Sequence, residues 1–255
     1  MEWYHRVDPE WLKARNNFIT ASEVVKLLPV TATGKKRYGM DAKRLAVWAN
    51  KQKFNPTEDD VCSTGAAARG HIMEPYAINE FNTLSIASQT FYHWDDILLY
   101  NEDTGTAWSP DGLTLSTPIG ITKANSADYA QPVKGIEVKS YSADRHYDCL
   151  FKDKMKLEER WQIATALYTV PSLTDMVLVF FNPNVPQYIG WYWYDRIDLK
   201  EELELIKQTV EEYNEFKKNI EKKLPSKITM NDPGWEYRIK REWEEKNQSA
   251  LNPLY

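Results

Sequence analysis

The chain has 255 residues, 42% hydrophobic and 27% charged, the proportions of an ordinary globular protein rather than a disordered or membrane-embedded one. Its formal net charge of −5 argues against holding nucleic acid by bulk charge alone, and two cysteines, Cys62 and Cys149, without a Cys-x-x-Cys pair encode neither a disulfide framework nor a zinc or iron–sulfur site. No stretch approaches the roughly 20 apolar residues of a spanning helix, and the opening Met1-Glu2-Trp3-Tyr4-His5 lacks the basic and then apolar run of a secretory signal, so a cytoplasmic location without a membrane partner is expected. In chain order, Asp8-Pro9-Glu10 reads as a cap with proline in the first turn, opening a short helix to about Arg15 that turns Trp11 and Ala14 to a core. A second helix is expected from about Thr20. The polar stretch 29–40, with Pro29, Gly34 and Gly39, is a loop before an amphipathic helix over about 41–51, and 52–60 is polar again. From Gly65 the spacing predicts a helix in which Ile72, Tyr76, Ala77 and Phe81 share one buried side, with a kink or a helix start at Pro75.

From about residue 91 the period changes. Ile97 to Tyr100, the turn Asn101–Gly105 and Thr106-Ala107-Trp108 predict a hairpin. Residues 116–134 read as a long loop and Gly135 to Lys139 as a strand. A helix over 153–170, a buried strand over 176–181 and an aromatic strand over 188–194 follow. A long acidic helix over about 198–223 and a shorter one near 234–246 close the chain. This order predicts an α/β (α+β mixed) fold with a central mixed β-sheet flanked by helices, in one domain of 255 residues. Its core would span about 11–195, with a C-terminal helical extension over about 198–255. Lys35, Lys36, Arg37, Lys43 and Arg44, and separately Lys152, Lys154 and Lys156, form basic runs that suit solvated helix faces and phosphate contacts equally well.

The chemistry concentrates around Asp111. It follows Ser109-Pro110 and precedes Gly112, where a strand ends in a tight turn and its carboxylate can project from the sheet edge. In Ile136-Glu137-Val138-Lys139 the period of 2 puts Glu137 and Lys139 on one face while Ile136 and Val138 point to the core. Two carboxylates with the Val138 backbone carbonyl suit magnesium, which takes hard oxygen ligands and keeps several waters. Beside them a lysine can orient the attacking water and neutralise charge in phosphodiester hydrolysis. Glu221-Lys222-Lys223 and Glu244-Glu245-Lys246 repeat the Glu-x-Lys spelling but lie on charged helical stretches. Glu74 is on a helix, where a lone glutamate is ordinarily a solvent residue. Gln162 lies in the apolar stretch Trp161 to Leu167, so it is expected to be partly buried with hydrogen-bonding partners. His5, His71, His93 and His146 are scattered and read as non-catalytic.

Arg15-Asn16-Asn17-Phe18-Ile19-Thr20-Ala21-Ser22, Arg69-Gly70 with Glu74, Ser109-Pro110-Asp111-Gly112-Leu113, Glu137-Val138-Lys139 and Gln162 occur in this order over about residues 11–183. The set resembles the lambda-exonuclease-like, YqaJ-type viral recombinases of the PD-(D/E)XK nuclease superfamily. The resemblance implies a restriction-endonuclease-like core and a phage-encoded, magnesium-dependent exonuclease acting in the bacterial cytoplasm. Such an enzyme digests one strand of double-stranded DNA from its 5′ end and leaves a 3′ single strand for a single-strand annealing protein. It further implies two Mg2+ ions, with Mn2+ as a substitute, on Asp111, Glu137 and the Val138 carbonyl. Lys139 would assist the water and Glu74 support the site. Arg15, Ser22, Ser109 and Gln162 would form a pocket for the terminal 5′-phosphate, for which a guanidinium with hydroxyl and amide donors is suited. Family members of this kind often form ring-shaped trimers, so the resemblance also implies a homo-oligomer. Three other readings stand beside this one: an endonuclease or nickase on the same metal-dependent core, a hydrolase of another phosphate ester, and a DNA-binding module with a non-catalytic site.

Overall fold

The computed structural model describes residues 9–31, 35–51, 65–84, 89–94, 97–115, 120–124, 133–152 and 155–223. The segment 52–60, most of the loop 116–134, the helix expected near 234–246, and His5, Cys62 and Lys154 lie outside the described residues. Helix α1 (Pro9–Asn16) buries Trp11. Strand β1 (Ile19–Thr20) runs directly into α2 (Ala21–Leu27), where the Glu23 carboxylate reaches back to the Thr20 N–H at 2.8 Å and satisfies one of the donors that a helix start leaves unpaired. Next come α3 (Met40–Lys51) and α4 (Gly65–Thr83).

Helix α4 departs from the expected pattern. Ala77 and Phe81 are buried, together with Ile78, but Ile72 and Tyr76 are 55% and 60% exposed. At about 100° per residue, Ile72 and Tyr76 each lie about 160° from Glu74 on the helix circumference, whereas Ala77, Ile78 and Phe81 all lie within about 60° of it. The inward face is therefore the Glu74 face. The helix also runs through Pro75 without restarting, since one proline removes one intrahelical bond in a 19-residue helix whose Ala77, Ile78 and Phe81 are anchored in the core.

The strands β2 (Tyr92–His93), β3 (Leu98–Asn101), β4 (Thr106–Trp108), β5 (Gly112–Leu113), β6 (Ile121–Lys123), β7 (Val133–Ser140), β8 (Leu173–Phe181) and β9 (Ile189–Asp195) form two mixed sheets, in the orders β1-β4-β3-β6 and β2-β5-β7-β8-β9. The expected hairpin is β3–β4, and Gly105 in its turn has φ +72°, a left-handed conformation that glycine adopts without strain. Within the expected loop 116–134, β6 pairs parallel to β3 and β7 begins at Val133; three residues are too few to carry a strand period in sequence. Between β7 and β8 the chain crosses over through α5 (Ala143–Lys152) and α6 (Leu157–Thr169), not through one helix over 153–170. The long α7 (Lys200–Lys223) packs on α6.

The five-stranded sheet is covered on both faces. Ile136 and Val138 of β7 join Val177, Val179 and Phe181 of β8 against Ala77, Ile78 and Phe81 of α4. Met176 and Leu178 face Trp161, Ala164 and Leu167 of α6. Each fully buried large side chain contributes about 1.5–3 kcal/mol relative to exposure, so the two helices are fixed firmly against the β7–β8 pair. Among the described residues no helix is long and apolar enough to cross a membrane.

The chain passes from one sheet to the other at Ser109-Pro110-Asp111, between β4 and β5. Pro110 has no N–H to pair, and Gly112 just after it has no room for a side chain. A Cβ there would lie 2.7 Å from Ile136 Cγ2 and 2.9 Å from the Tyr92 carbonyl oxygen. Gly112→Ala is expected to destabilise the fold by about 1–3 kcal/mol, measured as a lower denaturant midpoint at unchanged slope. An unchanged midpoint would mean that β5 can move away from β7.

Candidate active site

The register Gly112↔Ile136 and Leu113↔Gly135, carried one step further, puts Asp111 opposite Glu137. Beyond that step β5 offers β7 no further ladder partner. The Val138 N–H, which points to the β5 side, donates instead to Asp111 Oδ2 at 2.6 Å. The N–H and C=O of one strand residue point to the same side, so the Val138 carbonyl faces the same gap. Glu137 and Lys139 share the other face of β7, and Lys139 Nζ donates to Glu137 Oε1 at 2.5 Å. From the α4 side comes Glu74, clasped by His71 Nδ1 at 3.1 Å and His93 Nε2 at 3.8 Å.

The electrostatics bind these groups into one unit. Burial and the carboxylates of Glu137 and Glu74 hold the Asp111 carboxyl well above its usual range, against the opposing pull of Lys139 and the Val138 N–H. Burial alone would lower Lys139, but the charges of Glu137 and Asp111 and the bond to Glu137 outweigh it and hold the ammonium above its ordinary value. Burial also acts to raise Glu74, and there the two histidines prevail, bringing the carboxyl down to about 2. Asp111 thus feels two further carboxylates and one lysine, a setting that a divalent cation with oxygen ligands relieves. The donor set of Asp111, Glu137 and the Val138 carbonyl is all oxygen and fits magnesium rather than a softer metal. Among the described residues no three His, Cys, Asp or Glu side chains already stand in ligating positions; Asp111 Oδ2 and Glu137 Oε1 are taken up by N–H donors.

A second group is assembled by β1–β4 pairing. Ile19↔Thr106 and Thr20↔Ala107 run in parallel, so the chain beyond Thr20, with Ser22, and the chain beyond Trp108, with Ser109, leave the sheet at the same end. The Ser109 hydroxyl donates to the Ile97 carbonyl at 2.9 Å, and Ser22 Oγ lies 3.3 Å from Thr20 Oγ1. Arg15 is half-buried over the Trp11 ring at 5.1 Å. Burial lowers the pKa of its guanidinium and the Glu23 charge opposes this. Gln162 is half-buried as expected, but its amide makes no hydrogen bond with a described residue. It lies one turn beyond Glu159.

Several participants were not read from the sequence. Glu159, 5% exposed on α6, feels Lys139, caps the Lys156 N–H at 3.0 Å and stands 3.6 Å from Arg145 Nη2. Its signal was its place three residues before Gln162, on the same helix face. Glu23 and Lys51 form an ion pair at 2.6 Å beside Arg15, which no local pattern announces because 28 residues separate them in the chain. His146 is structural: it is buried, stacks edge-on against Phe180, and its Nε2–H donates to the Gln187 carbonyl at 2.5 Å. Of the basic runs, Arg37 binds the Val25 and Lys26 carbonyls and Arg44 pairs with Asp41 and Glu212, whereas Lys35 and Lys36 are exposed.

The family model of the YqaJ-like viral recombinase domain matches residues 10–176. No curated protein matches the chain. Among solved structures, the alkaline exonuclease LHK-Exo from Laribacter hongkongensis is similar at 17% identity and a TM-score of 0.59, over 85% of this chain and 97% of that one. The same enzyme in complex with dAMP is similar at 18% identity and a TM-score of 0.53, with the same two coverages. At such identities the likeness shows a shared fold, with mixed sheets flanked by helices as the order of elements in the sequence predicts.

Proposed function

Because the chain belongs to the YqaJ-like viral recombinase domain family, we propose that it is a magnesium-dependent exonuclease that digests one strand of linear double-stranded DNA from a 5′ end. The observation that carries this reading is that Asp111, bonded to the Val138 N–H, feels the charges of Glu137 and Glu74 and of a Lys139 bonded to Glu137. The likeness of fold to an enzyme described as an alkaline exonuclease, also solved with dAMP, agrees with it.

Asp111, Glu137 and the Val138 carbonyl would hold the metal, which when bound polarises a phosphoryl oxygen and lowers the pKa of a coordinated water. Lys139, fixed by its bond to Glu137, presents a compact positive charge to the scissile phosphate. Glu74, kept ionised by His71 and His93, holds a carboxylate at the α4 wall of the site, where it can orient a water. Arg15, with Ser22, Ser109 and Gln162, would receive the terminal 5′-phosphate. The product, a duplex with a 3′ single-stranded end, suits a single-strand annealing partner in recombination.

Three substrates test the proposal: linear duplex with a 5′-phosphate, linear duplex with a 5′-hydroxyl, and closed circular DNA, each with magnesium and with a chelator. Steady nucleotide release from linear DNA in magnesium, faster with the phosphate and abolished by the chelator, is expected. Cutting of closed circles would favour an endonuclease or nickase on the same core. Chelator-resistant release would dismiss the metal.

A further inference from the structure

We infer that Lys51 governs the preference for 5′-phosphorylated ends by holding the Glu23 carboxylate, so that the Arg15 guanidinium stays open to a phosphate from solvent. The inference rests on the reading of Arg15 as part of the end pocket.

Lys51 is the last residue of α3, and its side chain is 8% exposed. Its Nζ lies 2.6 Å from Glu23 Oε2 and 3.4 Å from the Arg15 carbonyl oxygen. The same Glu23 oxygen accepts from the Thr20 N–H at 2.8 Å and from the Thr20 hydroxyl at 2.9 Å. Three donors therefore fix this carboxylate, and each of them lies on an element other than α1. Arg15 has a contrasting environment. Its half-buried guanidinium carries five N–H donors, yet it makes no hydrogen bond or ion pair with a described residue; its neighbours are the Trp11 ring and the charge of Glu23.

A guanidinium close to a carboxylate ordinarily takes it in a paired fork. At this place the carboxylate is already committed to Lys51 and Thr20. Among the described residues whose charges act here, Arg15, Lys51 and Lys26 supply three positives and Glu23 one negative, leaving positive charge in excess in a partly desolvated pocket. Burial weighs on both cations, and the charge of Arg15 weighs on Lys51 as well, so an arriving dianion is favoured at this point. Lys51 acts as a positioning residue: it need not touch the DNA. Without its charge, Glu23 keeps its bonds to Thr20 but is free to turn towards Arg15, whose guanidinium already feels its charge, and the pocket closes on itself.

The test is a double-mutant cycle on the full chain with magnesium, reading kcat/KM on linear duplexes that end in a 5′-phosphate or a 5′-hydroxyl. Lys51→Met keeps the alkyl stem and removes the charge. It is expected to lower the phosphate-to-hydroxyl ratio about tenfold while leaving rates on hydroxyl ends within about twofold. Glu23→Gln keeps an oxygen to cap Thr20 but removes the charge, and is expected to retain the preference. Combined with Lys51→Met it is expected to restore the ratio, because the competing anion is gone. A Lys51→Met enzyme that keeps its preference, or a double variant that fails to regain it, would overturn the inference, the second result marking Lys51 as merely structural. A wild-type enzyme that ignores the 5′ group would instead remove the end pocket itself, and a protein inactive on every DNA would remove the nuclease reading.

Discussion

Asp111→Asn is expected to slow nucleotide release from linear DNA by about a thousandfold, while raising the thermal midpoint of the metal-free protein. The two effects have one cause. Asp111 is half-buried, and desolvation together with the charges of Glu137 and Glu74 holds its carboxyl well above the usual range, so the charged form is disfavoured in the fold. A group whose folded pKa is raised binds a proton more tightly in the folded state. At pH values above its unfolded pKa its charge therefore works against folding, and stability rises as the pH falls through the folded pKa. Asparagine imitates the protonated acid: its amide oxygen can still accept from the Val138 N–H, now at 2.6 Å from Oδ2, and the repulsion disappears. The same change removes one of the two carboxylates proposed to hold the metal, and losses of about 10²–10³ accompany removal of even one preorganised electrostatic group from a site of this kind. Calorimetry with and without magnesium separates the two contributions. Magnesium should raise the midpoint of the wild type by mass action and leave that of the variant unchanged. Near-wild-type release by Asp111→Asn would dismiss the site, and a lowered midpoint would make Asp111 a structural acceptor.

How far the site could be read in advance depended on the length scale of each interaction. Asp111, Glu137 and Lys139 were legible because a proline–aspartate–glycine turn and a two-residue strand period are local features, and the β5–β7 register brings them together. Glu74 was less so. Its helix has apolar residues on more than one side, and the pattern that pointed Ile72 and Tyr76 inward chose the wrong side for them. Only the packing of Ala77, Ile78 and Phe81 against β7 and β8 selects the face that carries Glu74 to the site. The division into two sheets at Pro110 follows from pairing between distant strands, and α5, directly after β7, has no counterpart among the elements expected from the sequence, whose helix over 153–170 corresponds to α6 alone. The clasp of His71 and His93 on Glu74 joins α4 to β2, and the Lys51–Glu23 pair joins α3 to α2. Contacts of this kind exist in sequence only as separate polar residues, each with an ordinary surface role as its default.

Arg15→Ala should have the second-largest effect, and a different one in kind. The variant is expected to lose about tenfold to a hundredfold in kcat/KM on 5′-phosphorylated ends, the range that corresponds to a charge-assisted hydrogen bond of about 1.5–3 kcal/mol, and no more than a few-fold on hydroxyl ends. The loss should fall mainly in KM if the phosphate contact is the same in the bound substrate and in the transition state, and in kcat if it tightens as the reaction proceeds. Stability should change little, because the guanidinium has no hydrogen bond or ion pair with a described residue to lose; what goes is its packing over Trp11. The repulsion it exerts on Lys51 goes as well. Equal losses on both kinds of end would instead place Arg15 on the duplex backbone, where it would help to hold any DNA without sensing the terminal group. A titration with salt tells these apart, since a phosphate contact removed from the DNA backbone reduces the slope of log affinity against log salt by about 0.9 on every duplex. A terminal contact reduces it on phosphorylated ends alone.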